Sequence, residues 1–101
     1  RCTPQIREHC HWSDKVLMNK RDEALILMME ECGELTQACS KVIRTDGAEK
    51  YVTNLQEEVG DVLCMIEILH TAGLLDEDKL LERMKKKKRK LKKWSNIFDE
   101  G

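Results

Sequence analysis

Two segments of the chain place pairs of acidic residues inside an apolar helical pattern. In LMMEECGELTQA, apolar residues recur at helical spacing, and Glu31 lies in the middle of their stripe with Glu34 one turn further on. In LQEEVGDVLCM, Glu58 and Asp61 repeat the same i, i+3 spacing beside a second apolar stripe. Burying an unpaired carboxylate costs free energy, so each pair requires a reason to lie beside an apolar face.

The composition favours an all-α protein. The 101-residue chain contains one proline and four aromatic residues, while Leu, Met, Glu and Lys, which favour helices, are abundant. This length predicts a single domain over residues 1–101. Five cysteines without CxxC spacing predict a reducing, cytoplasmic compartment, and those inside predicted helices are expected to be small buried hydrophobes: Cys32, Cys39 and Cys64. No apolar run approaches the roughly 18 residues that span a membrane.

The apolar spacing predicts four helices joined by short connections. Gly47 and Gly73 are expected at the turns, and Thr53 followed by Gln56 resembles a capping box that would divide the third helix. Short connections predict an antiparallel four-helix bundle whose two central helices carry the acidic pairs. The predicted helices span roughly 4–18, 22–44 with Asp22 as the cap, 48–72, and about 77–97 with Asp76 or Asp78 as the cap.

Two such helices packed side by side would bring the four carboxylates of Glu31, Glu34, Glu58 and Asp61 together. These anions repel one another unless protons, basic side chains or hard divalent cations neutralise them. Oxygen ligands without a nearby histidine favour Mg²⁺ or Mn²⁺ over zinc. A di-iron bundle would need a Glu-x-x-His motif, which the sequence lacks.

Glycines occupy equivalent places in the two acidic segments. Gly33 and Gly60 each precede the second acid of their pair. Glycine inside a helix costs about 1 kcal/mol relative to alanine, so a shared reason is expected. Close approach of the two helices, or of a ligand, is the interpretation that this placement favours.

The two acidic segments together resemble a known family signature. EECGE at 30–34, a gap of 23 residues, and EVGD at 58–61 are similar to the EExxE…ExxD motif of the all-α nucleoside triphosphate pyrophosphohydrolases, which include the MazG-like proteins. The resemblance extends from about Asp22 to Arg83. It implies an Mg²⁺-dependent hydrolase that cleaves a nucleoside triphosphate between the α- and β-phosphates and releases the monophosphate and pyrophosphate.

The resemblance also assigns expected roles to individual residues. It implies that Mg²⁺, which Mn²⁺ can replace, is held by the four paired acids. Lys79 and Arg83, four residues apart on the last predicted helix, are expected to bind the phosphates. Many MazG-like chains have an asparagine shortly before that lysine, where this chain has Glu77 and Asp78. Glu30 is interpreted as an outer-shell acceptor, a base for the attacking water, or a surface acid, and the full catalytic set is therefore Glu30, Glu31, Glu34, Glu58 and Asp61.

The remaining features leave alternatives open. Trp12 is a candidate for stacking on the nucleobase, and it is equally well interpreted as a core or interface aromatic. The basic run at 85–93 is interpreted as a solvated helix face rather than a nucleic-acid site. The small, amphipathic chain is expected to form a homodimer or homotetramer without a membrane partner. The competing functional class is a non-enzymatic helical module that binds nucleic acid or an acidic partner through the basic helix.

Overall fold

The computed structural model describes residues 18–99, which form three α-helices and no strand in that range. We label them α1 (Lys20–Arg44), α2 (Glu49–Thr71) and α3 (Glu77–Trp94). The all-helical class is therefore confirmed for the described part of the chain. The predicted first helix at 4–18 lies outside the described residues except for its last position, so three helices are described where a four-helix bundle was predicted.

The helix ends follow from capping chemistry. The Asn19 side chain accepts a hydrogen bond from the backbone N–H of Asp22 at 2.7 Å, so α1 begins two residues before the predicted cap. The Asp76 side chain accepts hydrogen bonds from the backbone N–H groups of Asp78 and Lys79. Asp76 therefore caps α3, and of the two predicted caps it is the correct one. The predicted capping box at Thr53 is wrong, because α2 runs through it without interruption. α3 ends at Trp94, three residues before the predicted end.

Glycines with positive φ terminate the first two helices. Gly47 has a φ of 80° and its N–H donates to the carbonyl of Val42 at 2.9 Å, which closes the end of α1. Gly73 has a φ of 81°, and its N–H donates to the carbonyl of His70 at 3.0 Å at the end of α2. Both turn predictions are confirmed, and the short connection after α1 lets α2 fold back antiparallel to it.

α1 and α2 pack along one another and contain all of the buried residues of the described helices. The apolar cluster joins Ala24 of α1 to Met65 and Leu69 of α2, at the end of the helix pair away from the connecting turn. Leu75, which follows α2, packs against the same cluster. We call α1 and α2 with this cluster the hairpin.

α3 has no buried residue, and its contacts with the hairpin are few. Among the apolar residues of α3, Leu80 and Met84 are exposed and Leu91 is half-buried. None of the three described helices is long and apolar enough to cross a lipid bilayer.

One further prediction about packing is wrong, and one of the two alternatives for the glycines is excluded. The cysteines at 32, 39 and 64 are exposed rather than buried, because the hairpin core is too narrow to cover them. A Cβ atom added to Gly33 or Gly60 would meet no atom within 4 Å, so neither glycine is required for the approach of α1 to α2.

Candidate functional site

The structure brings three of the predicted acids together where α1 and α2 face each other. One carboxylate oxygen from each of Glu31, Glu34 and Glu58 lies within 4.8 Å of the other two. Glu31 is buried, with 8% of its surface exposed, and Glu34 and Glu58 are half-buried. We call these three residues the acid triad.

Heptad spacing explains why Glu31 is buried. The buried residues of α1 are Ala24, Glu31 and Ala38, each seven residues after the last. Residues seven apart lie on one face, so Glu31 falls on the line along which α1 contacts α2. The alanines leave room for the neighbouring helix above and below the carboxylate.

The antiparallel arrangement of α2 brings Glu58 to the same level. Ala24 packs against Met65, and moving seven residues forward on α1 to Glu31 corresponds to moving seven residues back on α2, to Glu58. Because Glu58 and Met65 are also seven apart, both point towards α1. Because each acid lies seven residues from the Ala24–Met65 contact on its own helix, the two acids come to the same level and join one group.

The two remaining acids lie at the edges of the triad. Asp61 is half-buried on α2, one turn after Glu58, and it is not a member of the group within 4.8 Å. Glu30 is half-buried on α1, and one of its carboxylate oxygens is almost completely shielded from solvent, as is one oxygen each of Glu34 and Glu58. This shielding argues against Glu30 as a surface acid. Its spacing of four residues from Glu34 was the available sequence signal, since residues i and i+4 share a face.

The basic residues assigned by resemblance lie apart from the acids. Lys79 and Arg83 are exposed on α3 and, with Glu82 and Lys86, line a shallow open depression of about 370 Å³. Among residues 18–99, no ion pair or hydrogen bond links either basic side chain to the acid triad. Trp12 lies outside the described residues.

The donor set of the triad defines its chemistry. Three carboxylates from two helices offer hard oxygen ligands, and no histidine or cysteine belongs to the group. Carboxylates at this separation repel one another strongly where water is largely excluded, so the charge of the group must be compensated. A hard divalent cation such as Mg²⁺ fits this set better than zinc, which prefers nitrogen and sulfur ligands.

Comparisons of the chain with models of protein families, with functionally characterised proteins and with solved structures yield no match. The resemblance to the MazG-like proteins thus depends on the two-part sequence motif alone.

Proposed function

We propose that this protein is an Mg²⁺-dependent nucleoside triphosphate pyrophosphohydrolase that releases pyrophosphate and the nucleoside monophosphate. The observation that carries the proposal is the acid triad: carboxylates 24 or 27 positions apart in sequence converge within 4.8 Å, and one of them is buried. A charged helix flank kept only for solubility would have no need to bury Glu31, because burial of a carboxylate is costly.

The residues present fit a divalent cation. Glu31 and Glu34 from α1 and Glu58 from α2 would hold it, with Asp61 on the edge of the group as a further ligand. Mg²⁺ in such a site supplies Lewis-acid chemistry, polarising a phosphoryl oxygen and favouring ionisation of a bound water.

The chain's own residues would perform the remaining tasks. Glu30 has a shielded carboxylate oxygen beside the triad and is our candidate to accept a proton from the attacking water. Lys79 and Arg83 would bind the charge on the departing pyrophosphate. Since no ion pair or hydrogen bond joins these two side chains to the triad within residues 18–99, we propose that a neighbouring copy brings them to it.

A homodimer or homotetramer is consistent with the surface of the hairpin. Met29 and Leu63 are 72% and 59% exposed, and the buried apolar residues of the described chain number four: Ala24, Ala38, Met65 and Leu69. Such a small core provides little stabilisation alone, and association would cover the exposed apolar side chains.

The deciding experiment is a panel of ribo- and deoxyribonucleoside triphosphates incubated with the protein and Mg²⁺ or Mn²⁺, with pyrophosphate and phosphate release measured separately. We expect metal-dependent release of pyrophosphate in equal amount to a nucleoside monophosphate. Release of single phosphates only, or no turnover of any nucleotide, would contradict the proposal.

Neighbouring glutamates on α2 provide a matched pair of variants. Glu58→Gln removes a triad carboxylate, whereas Glu57→Gln makes the same change at an exposed position. Loss of an outer-shell partner typically costs 10–100-fold in activity, so we expect at least about a 100-fold loss for Glu58→Gln. Glu57→Gln should retain wild-type activity. Equal activity of the two variants would show that the triad does not take part in catalysis.

A further inference from the structure

The charge of the described chain is divided between the hairpin and α3. Residues 18–76 contain five basic and twelve acidic residues, a formal charge of −7, whereas α3 contains ten basic and three acidic residues, a charge of +7. The ten cations all lie within residues 79–93 and all are exposed. Within the described chain, no carboxylate forms an ion pair with any of them.

Five of these cations form a row along one side of α3. Their spacings of three or four residues place them on one face, and the row extends over 15 residues, or about 21 Å from the first to the last. Three linked phosphates of a nucleotide occupy only a small part of this length. Along about 21 Å, one strand of duplex DNA carries about 6 phosphates, so a nucleic-acid backbone matches the row of five cations in both charge and length. The row consists of Lys79, Arg83, Lys86, Lys90 and Lys93.

The apolar residues of α3 do not form a continuous face. Leu80 and Met84 form one group and Leu91 and Trp94 another, on the flank of the helix beside the row, with Trp94 one turn after Lys90. Lys87 and Lys88, three and four residues after Met84, lie between the two groups. A helix that lies in a membrane surface needs an unbroken apolar side, which α3 lacks.

We propose that α3 is a binding surface for nucleic acid, contacting the phosphate backbone through the row of cations without reading base sequence. The inference goes beyond the proposed pyrophosphohydrolase activity and does not depend on it. The negative hairpin repels the same polyanion, so contact is confined to α3. Trp94, which is 81% exposed at the end of the helix, is available to stack on a base when the bound strand is single.

The test measures fluorescence anisotropy of labelled oligonucleotides, one duplex and one single-stranded, against the full chain over a range of salt concentrations. The variant K86Q/K90Q/K93Q removes three cations of the row, and Gln keeps the helix propensity close to that of Lys. The control K20Q/R44Q/K50Q removes three exposed cations of the hairpin. Circular dichroism verifies that both variants keep the helix content of the wild type.

We expect wild-type binding whose affinity falls steeply with salt, because released counterions drive it. The row variant should bind at least about tenfold more weakly at low salt, and its slope of log K against log salt should be smaller by about 3. The hairpin control should match the wild type. Tighter binding of the duplex or of the single strand identifies the form that the row prefers, and either result supports the proposal.

Several results would overturn it. Absence of binding to both oligonucleotides at about 50 mM salt would do so, as would equal losses in the two variants. Binding to phosphatidylserine vesicles but not to oligonucleotides would instead identify a membrane surface. Displacement of the oligonucleotide by poly-glutamate at equal charge concentration would identify an acidic protein partner. Self-association that the row variant abolishes, without oligonucleotide binding, would identify a second copy of the chain.

Discussion

The hairpin and α3 differ in how far their amphipathic helices are buried. In the hairpin, the small side chains of Ala24 and Ala38 let α1 and α2 approach closely, and carboxylates from both helices meet between α1 and α2. In α3, ten cations surround a divided apolar side and no residue is buried. Because the free energy of burial increases with apolar area, the hairpin is expected to supply most of the stability and α3 to supply charged surface.

The largest difference in stability is expected between a leucine substitution in the hairpin and one in α3. Leu69→Ala removes a core side chain that is 5% exposed and should destabilise the protein by about 2–5 kcal/mol. Leu81→Ala, at a position on α3 that is 47% exposed, should change stability by no more than about 0.5 kcal/mol. Urea unfolding at one protein concentration measures both. A similar loss for Leu81→Ala would mean that α3 is packed in solution.

Metal should stabilise the hairpin specifically through the triad. Mg²⁺ at about 100 times its Kd is expected to add about 2.7 kcal/mol to the free energy of unfolding, because it binds only the folded site. Glu34→Gln should lose most of this gain, and Glu67→Gln, an exposed acid on α2, should keep it. Thermal melts with and without Mg²⁺ provide the measurement. If both variants respond as the wild type does, the triad is not the metal site.

Removing a helix cap should destabilise the whole hairpin when the cap belongs to α1 and only the first turn of α3 when it belongs to α3. Asn19→Ala removes the hydrogen bond to Asp22 and should lower the stability of the whole hairpin by about 1 kcal/mol. Asp76→Ala removes the cap of α3 and should increase amide hydrogen exchange in the first turn of α3 while leaving the core amides of α2 unchanged. Increased exchange throughout α2 would show that α3 and the hairpin unfold together.

Replacing glycine by alanine should change stability in a direction that depends on the backbone conformation of the glycine. Gly33→Ala and Gly60→Ala should each stabilise the protein by up to about 1 kcal/mol, since the added methyl group meets no atom and alanine favours helix. Gly47→Ala should destabilise it by about 1–2 kcal/mol because its φ is 80°. Melting temperatures of the three variants test the comparison. A loss of pyrophosphate release in Gly33→Ala without a loss of stability would indicate that a ligand approaches there.

Local sequence signals were sufficient for much of the fold. The periodicity of apolar residues predicted the positions of α1, α2 and α3 to within a few residues, and Gly47 and Gly73 marked the turns because only glycine readily adopts positive φ. The i, i+3 spacing predicted which acids of each helix share a face, since each pair belongs to one helix, but it did not distinguish Asp61 from the three acids that meet.

The burial of individual side chains could not be predicted from local sequence signals. The sequence showed Glu30 as an ambiguous acid, and only the packing of the two helices shields its carboxylate oxygen. The cysteines were predicted to be buried on the basis of residue type, but whether a side chain is covered depends on what packs against it.

The sequence by itself determined the helices, their caps and turns, and the residues able to bind a cation, because these depend on interactions within a few positions of the chain. The tertiary structure alone decided which acids meet and which helix remains exposed. Glu31 meets Glu58 because α2 returns antiparallel to α1 in a register that aligns two heptads. α3 remains uncovered because the described helices bury side chains only where α1 packs on α2, which leaves the cations of α3 available to a partner.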